Sequence, residues 1–413
     1  MIAAKTAYAL PGGAKITSFD ISFVDAFSRV FLLADRTNKS LDVVDLNTGN
    51  TAMIVPTGVN AFKGFVADPN VMGPNDVSGP NGVATVHHAE AWVTDAPSFS
   101  GPIVMSADPK VAYAADNCDS PLYVIDLITQ QVTDKLNLKG CFRADEVAYD
   151  PKDEIFLVAN PGEQDIGKAG TPTAPFVTLI STWPVAPGNS HAILATISFD
   201  GTRRSPTATG GIEQAVWSPK TGLFYVALPQ NGPNANNGGV VVIDPAEKKG
   251  PRVRGTIPVT NCSPNGAALG PDFELFLGCT AGPVQIIDIR NGNVVATIPQ
   301  IPGGCDEVTF NAADNHFAGA CNDTVGIVDA KPPILFDQNT GGISHSIASD
   351  PVLNLLLAPV PSTAPDVMTL CGTTNGCVAG FGPSGIDDPG SWGPPRENDN
   401  GRGRGDDQGN SDN

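Results

Sequence analysis

Seven times along this chain the same strand signature returns, and in every copy a carboxylate, carboxamide or imidazole stands five residues before the closing turn residue. The copies are Asp20-Ile-Ser-Phe-Val-Asp25, Asn81-Gly-Val-Ala-Thr-Val86, Asp145-Glu-Val-Ala-Tyr-Asp150, Glu213-Gln-Ala-Val-Trp-Ser218, Asn265-Gly-Ala-Ala-Leu-Gly270, Asp306-Glu-Val-Thr-Phe-Asn311 and His345-Ser-Ile-Ala-Ser-Asp350. Most are followed by turn residues and a second apolar run, such as Val30-Phe-Leu-Leu-Ala-Asp35 or Ile155-Phe-Leu-Val-Ala-Asn160, which makes a hairpin. A third apolar run ends in Asp, as in Leu41-Asp-Val-Val-Asp45 and Val284-Gln-Ile-Ile-Asp288. A turn and a fourth run follow, for example Ile289-Arg-Asn-Gly-Asn293 and then Val294-Val-Ala-Thr-Ile298. Each unit therefore reads as a four-stranded antiparallel meander.

Meanders of about 40 residues or a little more, stacked in series, are the signature of a β-propeller. The sequence predicts an all-β, seven-bladed β-propeller with blades near residues 17–56, 80–138, 142–200, 211–259, 263–299, 304–338 and 343–383. A β-sandwich would not require seven equivalent copies in a row. Blade two is enlarged by Ala96 to Ala115, and blade three by Gly162 to Pro175 and Trp183 to Ser190. Blade seven shows three clear strands, with Cys377-Val-Ala-Gly-Phe381 as the third. Its fourth is expected from Lys5-Thr-Ala-Tyr-Ala-Leu10, because a strand borrowed from the other terminus closes the ring and removes two exposed edges. The propeller is expected to span residues 1–383, and 384–413, rich in Gly, Asp, Asn and Arg, to form a disordered tail.

The formal charge of -19 disfavours nucleic acid and anionic membranes as partners, since both reward Lys and Arg. Small neutral or cationic ligands suit it better, and no apolar run is long enough for membrane insertion. The eight cysteines fall around the repeats in a regular way. Cys262 and Cys279 bracket one hairpin and Cys305 and Cys321 the next, so antiparallel pairing would set each couple face to face. Cys118 with Cys141 and Cys371 with Cys377 are the natural remaining pairs, though spacing alone leaves connectivity open. Such usage predicts an oxidising compartment and hence a secreted or periplasmic protein, expected to be a monomer. The first ten residues contain no apolar stretch of the signal-peptide kind, so a signal peptide is expected to be absent or already removed.

The apolar run ending in Asp, the Thr/Asn-Gly turn and Val-Val-Ala-Thr-Ile together resemble the YVTN-type propeller repeats of secreted and surface proteins. More broadly the chain is similar to the superfamily holding six-bladed gluconolactonases and seven-bladed lactonases and lyases. That resemblance, over residues 17–383, implies a propeller and allows a metal-dependent hydrolase or lyase. Gluconolactonase-type enzymes use a Glu/Asn/Asn/Asp metal set at the channel mouth, and Glu213, Asn265, Asp306 and Asn81 supply those residue types here.

In a propeller the first strand of each blade lines the central channel, so the seven aligned residues should form a ring at one mouth. Asp20, Asn81, Asp145, Glu213, Asn265, Asp306 and His345 are hard oxygen donors plus one nitrogen, a set suited to a divalent cation, Ca²⁺ first and Mg²⁺ or Mn²⁺ next. A bound ion could polarise an ester or lactone carbonyl or activate water, with Glu213, Asp306, Asp145 or His345 as acid or base. Glu146, Gln214 and Glu307, one position on, thicken the acidic surface, and Arg36 and Arg143 are the nearest counter-charges. The competing expectation is a non-catalytic propeller that binds a small ligand or a protein, its ring polar only because it is wet. His87, His88 and His316 lie at hairpins and are expected on the opposite face, while His191 follows a Pro/Gly loop. No Gly-x-Ser-x-Gly elbow, P-loop or dinucleotide fingerprint occurs, which argues against serine catalysis and nucleotide chemistry.

Overall fold

The hairpin turns are built by the aspartates that recur at strand ends. Asp25 accepts backbone N–H bonds from Phe27 and Ser28, Asp45 from Asn47 and Thr48, and Asp126 from Ile128 and Thr129. Each carboxylate thereby satisfies turn amides that the strand ladder cannot reach. In this computed structural model, which describes residues 2–67, 74–98, 118–162, 174–184, 190–301, 303–322, 324–330, 335–339 and 345–383, seven four-stranded antiparallel sheets result. Segments 96–115, 162–175 and 183–190 of blades two and three lie largely outside the described residues, and 384–413 wholly so.

An N-terminal strand, β1 (Ile2–Tyr8), comes first. Blade one is β2 (Ser22–Asp25), β3 (Val30–Asp35), β4 (Ser40–Asp45) and β5 (Thr51–Ile54). Blade two is β6 (Val83–Val86), β7 (Glu90–Thr94), β8 (Pro121–Asp126) and β9 (Gln131–Asn137). Blade three is β10 (Val147–Asp150), β11 (Ile155–Asn160), β12 (Phe176–Pro184) and β13 (His191–Ser198). Blade four is β14 (Ala215–Ser218), β15 (Leu223–Leu228), β16 (Asn237–Asp244) and β17 (Arg252–Thr260). Blade five is β18 (Pro264–Leu269), β19 (Glu274–Cys279), β20 (Val284–Asp288) and β21 (Val294–Ile298). Blade six is β22 (Cys305–Asn311), β23 (His316–Cys321), β24 (Thr324–Asp329) and β25 (Leu335–Asn339). Blade seven holds β26 (Ala348–Asp350), β27 (Leu355–Pro361) and β28 (Gly376–Pro383), and β1 completes it in the order β1-β28-β27-β26.

That closing strand begins earlier than Lys5–Leu10. It runs Ile2–Tyr8 and slips register between Ala4 and Thr6, while Leu10 leaves the sheet and is buried between blades seven and one. The second strand of each blade is buried on both faces, and its alternate residues feed two different cores. In β3, Phe31 and Leu33 pack toward blade seven, and Leu32 packs toward blade two. Seven hydrophobic clusters result, one between every pair of neighbouring blades, including the seventh and the first. Four disulfides, Cys118–Cys141, Cys262–Cys279, Cys305–Cys321 and Cys371–Cys377, use all eight cysteines.

Two Asn-Gly copies of the repeat show what sets the spacing of the inner strands. A Cβ on Gly82 would strike the backbone carbonyl of Asp145 in the next blade, and one on Gly266 would strike that of Asp306. Gly82→Ala should therefore push blades two and three apart at the channel. It is expected to destabilise by about 1–3 kcal/mol, read as a lower urea midpoint at unchanged m-value.

Candidate functional site

The ring residues are placed by one local device. The backbone N–H of Asp20, Asn81, Asp145 and Glu213 donates to the second strand of its own blade, at Ala34, Thr94, Ala159 and Ala227 respectively, just before the first strand begins. Each side chain is thereby held at the same level of the channel. The structure does gather these side chains at one end, but it ties the closest of them to cations of the chain itself. Arg36, at the end of β3, reaches Asp20 with Nη2 and donates to Asn81 Oδ1 from Nε at 3.0 Å and Nη2 at 2.7 Å, and to Asn75 Oδ1 from Nη1 at 3.1 Å. Asn81 passes the connection on by donating to the Ala144 carbonyl at 2.9 Å. Arg143 holds Asp145 Oδ2 from Nε at 2.7 Å and Nη2 at 2.6 Å.

His345 is clamped between two carboxylates, with Nε2 at 2.6 Å from Asp20 Oδ1 and Nδ1 at 2.7 Å from Asp306 Oδ2. Burial works against its charge, but Asp306 and Asp20 outweigh it and raise the imidazole to about 10. A histidine held protonated in this way has no lone pair to offer a metal or to act as a base. Burial would likewise raise Asp20, yet Arg36 and His345 keep it well below the usual carboxylate range, and at Asp306 His345 outweighs burial and lowers the carboxyl. Asn265 completes this side, donating to Asp306 Oδ1 at 3.4 Å and accepting from Thr280 at 3.0 Å. Glu213 is buried on the other side, beside blade four.

The residues therefore do not fit a divalent cation as they stand. Arg36, Arg143 and His345 face Asp20, Asp145 and Asp306, three cations against three carboxyl groups, and both His345 nitrogens are occupied. Among the described residues no group of three or more His, Cys, Asp or Glu side chains is arranged to hold a metal.

One layer further in lies a different polar group. Gln214 is fixed by four bonds: its amide nitrogen donates to Glu307 Oε2 at 2.9 Å and the Val308 carbonyl at 3.1 Å, and its oxygen accepts from Ala267 N at 2.7 Å and Val308 N at 3.2 Å. Glu307, thus oriented, meets Glu146 across the channel in a carboxyl–carboxylate hydrogen bond. Burial and the facing Glu307 push Glu146 well above the carboxylate range, and burial raises Glu307 to about 8. Two close buried carboxyls disfavour ionising together, and at Glu146 this adds to burial. In the sequence these residues read only as added acidity. The repeated Asp-Glu-Val at 145–147 and 306–308, in blades three and six, was the available signal that the two would meet.

Glu146, Gln214 and Glu307 floor a cavity of about 920 Å³ that occupies the rest of the channel. Its walls are mainly Ala, Val, Ile and Phe side chains of the first strands, among them Val83, Val147, Ala268, Val308 and Ile347. Phe27, His87, His88, Tyr149, Trp217 and Phe310 surround the far mouth, which is where the hairpin histidines of blade two are found. His87 Nε2 lies 2.7 Å from Glu154 of blade three, with Trp183 stacked on its ring at 4.5 Å, and His88 Nδ1 lies 2.9 Å from Asp25 of blade one. His191 pairs with Asp134 at 2.8 Å, and His316 with Asp314 at 3.0 Å, both away from the channel lining.

No protein-family model matches this chain, and no curated protein matches it in sequence. By shape, 1488 solved chains match, so the architecture is too widespread to point to one activity. One of them, from a structure titled "Crystal Structure of Mitotic Checkpoint Complex", superposes with a TM-score of 0.58 over 91% of this chain and 91% of its own, at 10% identity. That likeness shows the fold alone. Among the described residues no helix is long and apolar enough to cross a membrane.

The buried acids and the clamped imidazole give stability a definite pH dependence. Glu307, raised from 4.5 to about 8, favours the folded state fully below pH 4.5 and loses that contribution as pH climbs to 8. His345, raised from 6.5 to about 10, contributes fully below 6.5 and loses it by 10. The lowered Asp20 and Asp306 act in the opposite sense, contributing above their ordinary 3.8 and losing it as pH falls. Thermal midpoints should therefore peak in mild acid, near pH 4.5, and decline toward alkaline pH. Glu307→Gln should flatten the decline between pH 4.5 and 8, and His345→Gln the decline between 6.5 and 10.

Proposed function

We propose that this protein is a binding propeller of the extracellular or periplasmic space that holds one small molecule in its central channel. The observation that carries this reading is the channel itself, interlocked at one end, apolar along its walls and floored by three fixed polar side chains. A cavity of about 920 Å³ is in the range that encloses a small organic ligand. The walls select an apolar body, and the Glu146–Glu307–Gln214 floor selects a head group that donates hydrogen bonds or carries positive charge. The net charge of -19 favours the same choice. Four disulfides with no free cysteine support the oxidising compartment.

A second reading, a hydrolase or lyase acting on a small ester or lactone, is favoured by one specific feature, the hydrogen-bonded Glu146–Glu307 pair. One member could donate a proton while the other accepts one. In this reading Asp145, Glu213, Asp306 and His345 support the pair from the layer behind and do not touch substrate.

Titration with n-octylamine and 1-octanol, read by the fluorescence of Trp217 in the channel wall, tests the first reading. A saturable change is expected, lost in Trp217→Phe as a signal control and weakened at least about tenfold when Ala268→Leu or Ala84→Leu fills the wall, a few kcal/mol of lost burial and added strain. No saturable change with either probe, or binding indifferent to both wall variants, would sink it. Turnover of an ester or lactone that Glu146→Gln and Glu307→Gln abolish would establish the second reading instead.

A further inference from the structure

We infer that Arg36 and Arg143 are the resident cations of the polar ring, doing with guanidinium hydrogen bonds what a divalent metal would do with coordinate bonds. Arg36 is almost fully buried at 2% exposure and draws together oxygens from three separate chain segments: the carboxylate of Asp20 in blade one, the carboxamide of Asn81 at the start of blade two, and that of Asn75 in the connection between them. Carboxylate and carboxamide oxygens converging from distant loops are the donors a hard cation takes. Here the oxygens already serve a cation that is part of the chain. Arg143 does the same for Asp145.

A planar guanidinium suits the position because its fixed fork can bond several oxygens at once and it stays charged when buried. Its consequence reaches across the molecule. With His345 bridging Asp20 to Asp306, and Asn81 bonded to the Ala144 carbonyl, one continuous set of polar contacts runs from blade six through seven, one and two to blade three. These contacts cross from blade seven, which β1 and β28 close, to blade one. The ring end is thus shut by charge pairing within the polypeptide, and the channel is left to be entered from the His87–His88 mouth.

The test is a divalent-cation titration of the chelator-treated full chain and of Arg36→Gln/Arg143→Gln, by calorimetry with Ca²⁺, Mg²⁺ and Mn²⁺. The parent should show no saturable site, while the double variant, with Asp145 stripped of Arg143 and Asp20 left with His345 as its one cation of the three, should gain one with Kd on the order of 10⁻⁴ M. Arg36→Lys, which keeps the charge but not the fork, should bind no metal and unfold at a lower temperature than the parent. If the double variant is unfolded without metal, millimolar calcium should restore its circular dichroism. A parent that takes up one equivalent of divalent ion and loses it in Asp20→Asn overturns the inference. So does a double variant that neither binds calcium nor, if unfolded, refolds in it.

Discussion

The antiparallel pairing of β1 with β28 joins the first and last described strands in one sheet and turns a row of seven blades into a ring. A blade cannot bury both of its faces alone, because every middle strand carries apolar side chains on each side. The seven clusters between blades form a closed set only because blade seven also meets blade one, where Phe31 and Leu33 pack with Leu357 and Val378. The channel exists for the same reason. It is the space left when seven first strands face a common axis, and glycines such as Gly82 and Gly266 set how closely those strands approach.

Closure also creates an electrostatic problem at one end, since the repeat places seven polar residues at one level. Carboxyl groups at that depth are costly unless compensated. The chain answers with Arg36, Arg143 and a doubly clamped His345, and the result is a rigid polar closure. One layer inward Glu146 and Glu307 face each other, and burial raises both above the carboxylate range. These two solutions divide the channel into a locked end and an open cavity. The lock fixes the floor from behind, and the floor's acceptors then face an apolar cavity, a combination that favours a ligand with a polar head and an apolar body.

The architecture was legible because its evidence is repetitive. Hairpins such as Ala215–Ser218 with Leu223–Leu228 read as two apolar runs joined by turn residues, and each copy checks the others. Two of the disulfides, Cys262–Cys279 and Cys305–Cys321, could be anticipated for the same reason, since antiparallel register sets Cys305 directly opposite Cys321. The chemistry of the ring was harder to read. Position in the repeat places Asp20, Asp306 and His345 at one level, but it does not say which way each carboxylate turns or what already bonds it. Arg36 and Arg143 were visible as neighbouring charges, yet their capture of the ring depends on side-chain reach across blades that no local pattern encodes.

By itself, the sequence determined the seven antiparallel meanders, the in-phase polar residues, the two disulfide staples that bracket hairpins and the acidic balance. Each of these follows from spacing, turn chemistry or charge, which are properties of short segments and simple sums. Only the tertiary structure decided that Asp20, Asp145 and Asp306 of the ring are paired with Arg36, Arg143 and His345, that Glu146 and Glu307 meet across the axis, and that the open cavity faces the hairpin mouth. Those outcomes depend on distances between residues separated by most of the chain, such as the 2.6 Å between His345 and Asp20. Coulomb and hydrogen-bond energies change over a few ångströms, and only the closed ring sets such separations.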